Sequence, residues 1–240
     1  MIAALAYGTQ SVEPVDIIAG PGNIFVTLAK KEVYGKVGID MLAGPSEILI
    51  LADKTADPSY IAADLLSQAE HDVMARAMLI TDDKKLAQSV KEQVEEQLKK
   101  LRRAAIAEKS ILNNGFIVIS PIGRGVDLIN KLAPEHVELM VENPLSVLSR
   151  INNAGCVFIG KYSPEPVGDY FAGTNHVLPT GGTARFAQGL STDTFMRKMN
   201  VVYYSKESLH KYGRDIINLA ESEGLTAHAA SVQRRLDEKG

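Results

Sequence analysis

Four short stretches of this 240-residue sequence carry side chains suited to chemistry. The first is Gln68-Ala69-Glu70-His71, where Gln68 and His71 are three apart on a helical pattern and so share a face. An imidazole nitrogen and an amide oxygen can ligate zinc. A histidine near a helix carboxyl end is also what the helix dipole favours. The second is Ala133-Pro134-Glu135-His136. A Glu–His pair can activate water and carry a second proton. Neighbours on an extended chain point opposite ways, so both reach one site only from a loop. The alternative is an exposed Glu beside a packed His.

The third stretch runs from Gly168-Asp169 through Asn175-His176-Val177-Leu178-Pro179 and reads as a glycine-rich loop after a strand. Sites in parallel α/β sheets gather at the carboxyl ends of strands, where Asp169 could ligate a metal. An Asx-turn is the competing reading. The fourth is Glu223-Gly224-Leu225-Thr226-Ala227-His228. Gly224 reads as the residue just past a helix and Thr226 as the next N-cap. His228 then starts a helix, where imidazolium is disfavoured and a neutral ligand suits, although an ordinary surface histidine fits too.

Two glycine-proline turns complete the set. Gly20-Pro21-Gly22-Asn23 lies between a short apolar run and a helical stretch, where N–H groups could face an anion. It lacks the spacing of a dinucleotide fingerprint. Ala43-Gly44-Pro45-Ser46-Glu47 precedes a strand, and Ser46 could touch substrate. Nothing near Ser46 in sequence would activate it as a nucleophile, and spacing builds no Ser–His–Asp triad. The one cysteine, Cys156, excludes an internal disulfide and reads as a packed thiol in a buried strand.

These residues need elements to hold them. Strand patterns at 15–19, 47–52, 77–81, 116–119, 137–141 and around Cys156 alternate with helical patterns at 24–33, 57–71, 83–103, 126–132 and 144–152. That alternation predicts βαβ units and a mostly parallel sheet. Asp57-Pro58 is a helix start, with Asp as N-cap and Pro at the first position. The segment 163–194 reads as one long functional loop. Two helices follow, over 206–223 and 226–236. The apolar opening, Ile2 to Tyr7, reads as a buried helix stopped by Gly8, with no lead-in, which implies that something precedes Met1.

Composition bounds the class. Hydrophobic residues make up 45% and the net charge is −3, enough for one or two cores and no basic excess for nucleic acid or an anionic membrane. No apolar run is long enough to span a bilayer. A single cysteine fits a reducing, cytoplasmic setting.

Gly-Pro-Gly-Asn, Ala-Gly-Pro-Ser-Glu, Asp-Leu-Leu-Ser-Gln-Ala-Glu-His, Pro-Glu-His, Gly-Thr-Asn-His-Val-Leu-Pro-Thr and Leu-Thr-Ala-His, in this order, resemble the histidinol dehydrogenase family from Ile2 to about Arg234. The resemblance implies a two-step oxidation of L-histidinol to L-histidine through histidinal, the last step of histidine biosynthesis, with two NAD⁺ and one Zn²⁺ per site. It implies Gln68, His71, Asp169 and His228 as zinc ligands, the last supplied across an intertwined homodimer. Glu135 and His136 would be the acid–base pair. Ser46, Gln68, His71, His136, Asp169, His176, Glu223 and His228 would meet the substrate, and Asn23 would sit in the NAD site. Family members are about twice as long, so the resemblance implies an α/β chain of incomplete Rossmann-like lobes. Residues 1–45 would be the remnant of one lobe, 46–190 the main lobe with the zinc and catalytic residues, and 191–240 a helical tail. A zinc-binding remnant without hydride transfer is the alternative, and a zinc hydrolase with Glu135 as base is the weaker third.

Overall fold

The computed structural model describes residues 1–238. Residues Met1–Met196 form one compact unit and a second begins at Arg197. The first unit opens with α1 (Ile2–Tyr7), ended by Gly8 at φ 76°. Next come β1 (Ile17–Ile18), α2 (Ile24–Val33) and β2 (Gly38–Ile39). Asn23 caps α2, its side-chain oxygen accepting from the N–H groups of Phe25 and Val26. β1 and β2 pair in parallel, and Ala6, Ile18, Val33 and Val37 make a small core beside them.

The main sheet follows as β3 (Glu47–Ala52), α3 (Pro58–Ala69), β4 (Arg76–Thr81), α4 (Lys84–Leu98), α5 (Ala104–Asn114), β5 (Phe116–Ile119), α6 (Ile122–Leu132), β6 (His136–Met140), α7 (Pro144–Leu148) and β7 (Cys156–Ile159). Its order is β5-β4-β3-β6-β7 with every pair parallel, the three-two-one-four-five order of a Rossmann half followed by two further strands. β3 is central and buried throughout. Ile48, Ile50 and Ala52 pack under α3, α4 and α5, while Leu49 and Leu51 pack under α6 and α7. The two-residue period of a strand makes this split, and it puts His136, Glu138 and Met140 of β6 on the α3 face.

The expected helix over 83–103 is two helices. Lys100 and Leu101 donate back three residues, to Gln97 and Leu98, which closes a turn, and α5 then begins at Ala104. Leu101 reaches the core from that turn, so its spacing mimicked a continuing helix. No element was expected over 104–114, because buried Ser110, which donates to the Ala75 carbonyl, interrupts the apolar stripe. The helix expected from Val126 starts at Ile122. The segment 163–194 is not one loop: it holds α8 (Glu165–Tyr170) and two short 3₁₀ turns, at Thr183–Arg185 and Thr192–Phe195.

The second unit is a helical hairpin of α9 (Lys206–Ser222) and α10 (Thr226–Leu236), with Ile217 and Ala229 buried. Gly213 lets the pair close, since a Cβ there would meet Leu236 at 2.9 Å. Gly224, at φ 75°, ends α9 as expected, but Leu225 takes the N-cap position of α10 and Thr226 is its first helical residue. Among the described residues no helix is long and apolar enough to cross a membrane.

Candidate active site

A cavity of about 240 Å³ lies within the first unit, small enough for an amino-acid-sized ligand. Its lining includes Ser46, Gln68, His71, Glu135, His136, Asp169 and His176, together with Gly20, Pro21, Gly22 and Asp40. It faces the amino ends of the main sheet, not the expected carboxyl ends. Ser46 precedes β3 and His136 opens β6. Gln68 and His71 lie where α3 has returned to that end, and the His71 N–H donates to the Gln68 carbonyl. The opposite wall comes from the carboxyl ends of β1 and β2.

Three features deliver Glu135 and His136 to one cavity. Ala133 ends α6 in the left-handed region (φ 48°), a strained state for a residue with a Cβ, and turns the chain abruptly toward the site. Gly155 lets the neighbouring strand approach, since a Cβ there would meet the Glu135 carbonyl at 2.5 Å. Glu47 then brackets the pair. Its N–H donates to Glu135 Oε2 at 2.9 Å, and its carbonyl lies 3.0 Å from His136 Nδ1. Glu135 is buried, so the pair is not an exposed Glu beside a packed His.

The surroundings set the proton on His136. Nδ1 faces two oxygens, the Glu47 carbonyl and Gln68 Oε1 at 3.1 Å, so Nδ1 carries the hydrogen. Nε2 is left as an unprotonated nitrogen, buried and without a partner. Burial holds the imidazole down to about 4, against a hydrogen bond to Glu47 and the Asp169 charge that favour imidazolium. Glu135 is pushed up to about 8, first by burial and then by the charges of Glu47, Asp169 and Glu165, while the Glu47 N–H pulls the other way.

Asp169 sits in the last turn of α8 rather than in a loop. α8 lies close on β7 because Gly168 leaves room: a Cβ there would meet the Phe158 ring at 2.7 Å. The Phe158 ring packs on His136, with centroids 5.9 Å apart. Glu165, buried, places Oε1 4.0 Å from His136 Nε2. Ligand atoms of His136, Glu165 and Asp169 all fall within 4.8 Å of one another, a spacing open to a cation. Gln68 and His71 add an oxygen and a nitrogen to the same lining. The Gln68 oxygen has two lone pairs, so accepting from His136 leaves one for a metal. The donor set therefore fits a divalent ion.

Not every expected site residue meets here. Asn23 is exposed and outside the cavity lining, with its side-chain oxygen committed to α2. Glu223 and His228 belong to the second unit and are exposed. Cys156 is half-buried rather than packed, and burial raises its thiol.

The histidinol dehydrogenase family model matches residues 1–236. The chain belongs to the histidinol dehydrogenase family. It is 56% identical over its whole length to the histidinol dehydrogenase of Geobacillus kaustophilus, and 54% identical over 99% of its length to that of Lactococcus lactis. It spans 56% and 55% of those proteins, about half the length of the curated relatives it matches. The crystal structure of histidinol dehydrogenase from Elizabethkingia anophelis superposes with a TM-score of 0.91 at 44% identity, covering 98% of this chain and 55% of that one. An acetylating aldehyde dehydrogenase from Geobacillus thermoglucosidasius, at 11% identity and TM-score 0.51 over 85% of this chain and 61% of that one, shares the fold alone.

Three acids not foreseen as site residues are buried in the first unit: Glu47, Glu138 and Glu165. Glu47 and Glu138 had a readable signal, since each is a charged residue beside apolar neighbours in a strand. Glu165, between two prolines, had none.

Proposed function

We propose that this chain carries the active-site half of a histidinol dehydrogenase, which oxidises L-histidinol through histidinal to L-histidine with two NAD⁺. The observation that carries this reading is the fixed tautomer of His136, which lines the small cavity and keeps a bare, buried Nε2. That nitrogen is a base across neutral pH, suited to take the alcohol proton as a hydride leaves the carbinol carbon. Glu135, 3.7 Å from His136 Nδ1, would take a proton from the water that hydrates the aldehyde before the second hydride leaves. Gln68, His71 and Asp169 would hold zinc, with His228 completing the set from a second copy of the chain. Bound zinc would supply a Lewis acid that orients the substrate's nitrogens, and NAD⁺ the hydride acceptor.

Ser46, His176 and Glu223 are proposed as substrate contacts, the first two supported by their place in the cavity lining. Asn23 is proposed for NAD. Support comes from the Gly20-Pro21-Gly22 turn, which lines the cavity and leads into the amino end of α2, a setting suited to phosphate. The intertwined homodimer is supported by the second unit, where Val201, Val202 and Tyr203 are exposed apolar side chains that a second copy could cover. A cytoplasmic setting belongs to the same proposal. A zinc-binding segment without hydride transfer is the second reading, favoured by Asn23 lying outside the cavity lining.

The test is NADH formation by the purified chain with L-histidinol, NAD⁺ and zinc. Turnover that a chelator abolishes is the expected result. A folded, zinc-loaded chain without turnover would overturn the catalytic reading in favour of the second.

A further inference from the structure

Glu138 is an unlikely side chain for its place. It is the middle residue of β6 and 1% exposed, and the charged groups acting on it are two more acids, Asp64 and Glu165. One oxygen, Oε1, accepts from the Glu165 N–H at 2.8 Å. The other, Oε2, is fully buried and meets no N–H donor, so only a shared proton can satisfy it. Two carboxyl groups side by side are satisfied when they share one proton. Burial, the neighbouring Asp64 charge and a hydrogen bond with Asp64 raise Glu138 to about 9. Burial raises Asp64 only to about 6, against that same bond.

The two partners sit on the two elements that carry the metal-binding residues. Asp64, Gln68 and His71 follow at spacings of four and three, one stripe along α3 and its end. Glu165 and Asp169 are four apart on α8. α8 has only six residues and no side-chain cap, so the Glu138–Glu165 bond is what ties its start to the sheet. We propose that Glu138 is a positioning residue: it braces α3 and α8 against β6 and so sets the distance between Gln68 and His71 on one side and Asp169 on the other. The brace rests on the metal assignment made above.

A purely structural role makes a different forecast. Removing one member of a buried pair leaves the other unmatched and costs stability, so Glu138→Leu would melt lower while variants that stay folded keep the parent's zinc affinity. The brace instead requires that zinc affinity fall about 10- to 100-fold in Glu138→Leu, the loss typical when a group supporting a ligand is removed. Glu138→Gln keeps a donor and an acceptor, and zinc affinity should stay within about threefold of the parent. Glu138→Asp withdraws the acid by one methylene, so affinity should fall about tenfold in a chain that keeps its polar partners. The measurement is zinc affinity of the full chain by competition with a chromophoric chelator, beside thermal melting. Equal zinc affinity in Glu138→Asp and the parent overturns the brace, even where Glu138→Leu does not fold. So does a Glu138→Gln as weak as Glu138→Leu. A parent chain that binds no zinc overturns the metal assignment and the brace together.

Discussion

The strands β3 and β6 lie side by side, and their two ends have opposite chemistry. At the amino ends, Ser46, Glu47, Glu135 and His136 meet Gln68 and His71, and Asp169 and Glu165 close the cavity. At the carboxyl ends the crevice between the same strands is tied shut by Asp53. Its N–H donates to the Met140 carbonyl, and its carboxylate accepts from the N–H groups of Glu142 at 2.7 Å and Thr55 at 2.9 Å. In a sheet of this order the carboxyl-end crevice, where strand order reverses, is the usual ligand site. Here that crevice is spent on structure, and the small sheet of β1 and β2 brings its own carboxyl ends to the opposite side. The site belongs to the meeting of two sheets, not to the switch point of one.

The two ends should differ most in catalysis. In an active preparation His136→Ala should lower kcat by about 10²- to 10⁴-fold, the usual share of a positioned base. Under the proposed reaction, Glu135→Gln should spare the first hydride and block the second, so histidinal accumulates and one NADH forms per substrate instead of two. Product analysis by chromatography, beside NADH absorbance, checks both. Unchanged production of histidine by Glu135→Gln would remove Glu135 from the mechanism. A carboxyl group held near 8 also predicts that aldehyde oxidation quickens as pH rises toward that value, since only the carboxylate accepts a proton.

Stability against pH separates the two regions next, because the carboxyl groups of Glu135 and Glu138 are raised while that of Asp53 at the carboxyl end is lowered. Glu138 has a folded pKa near 9, raised from 4.5. Its contribution is full below about pH 4.5 and is lost as pH rises toward 9, because the unfolded chain releases a proton the native state keeps. His136, lowered from 6.5 to about 4, contributes above 6.5 and loses that as pH falls toward 4. Asp53, lowered by bonds from Thr55 and Glu142 that outweigh its burial, matters only as pH drops below its ordinary value of 3.8. Chemical denaturation of the zinc-free chain between pH 5 and 8 should therefore show stability falling with pH. Each proton retained in that window, on Glu138, Glu135 and Glu165, adds about 1.4 kcal/mol per pH unit to the slope. Glu138→Gln should remove one proton's share of it, and an unchanged slope would show that Glu138 holds no proton.

Much of this was legible in the sequence. The strand–helix alternation, the Asp57-Pro58 start and the Gly8 and Gly224 stops follow from local backbone chemistry, which needs no partners. Gln68 with His71 and Glu135 with His136 were readable as reactive types. Their convergence was not, because it depends on α3 returning to the amino ends and on the left-handed Ala133. Asp169 looked like loop because Pro164, Pro166 and Gly168 weaken any helical signal, and α8 is held by tertiary contacts with Phe158 and Glu138. The α4–α5 break was hidden for a similar reason: Leu101 fits a helix stripe and a core-facing turn equally well. What the sequence misses is where strand ends meet.

The smallest effect expected is at the carboxyl end. Asp53 joins β3 to β6 through bonds to backbone groups of Glu142 and Thr55 and is only half-buried, so water replaces part of what a truncation removes. Asp53→Ala should cost about 1 kcal/mol, the net worth of an ordinary hydrogen bond, with the N–H of Glu142 finding solvent. The deficit should disappear as pH falls below about 3.8, where the parent's carboxylate is also lost. Zinc affinity and kcat should not move, since neither strand shifts at its far end. A melt at neutral pH and one below that value, with a zinc titration, test all three parts. A loss of zinc affinity in Asp53→Ala would mean that the two ends of β3 and β6 are mechanically coupled, and the amino-end site would then depend on the crevice that Asp53 closes.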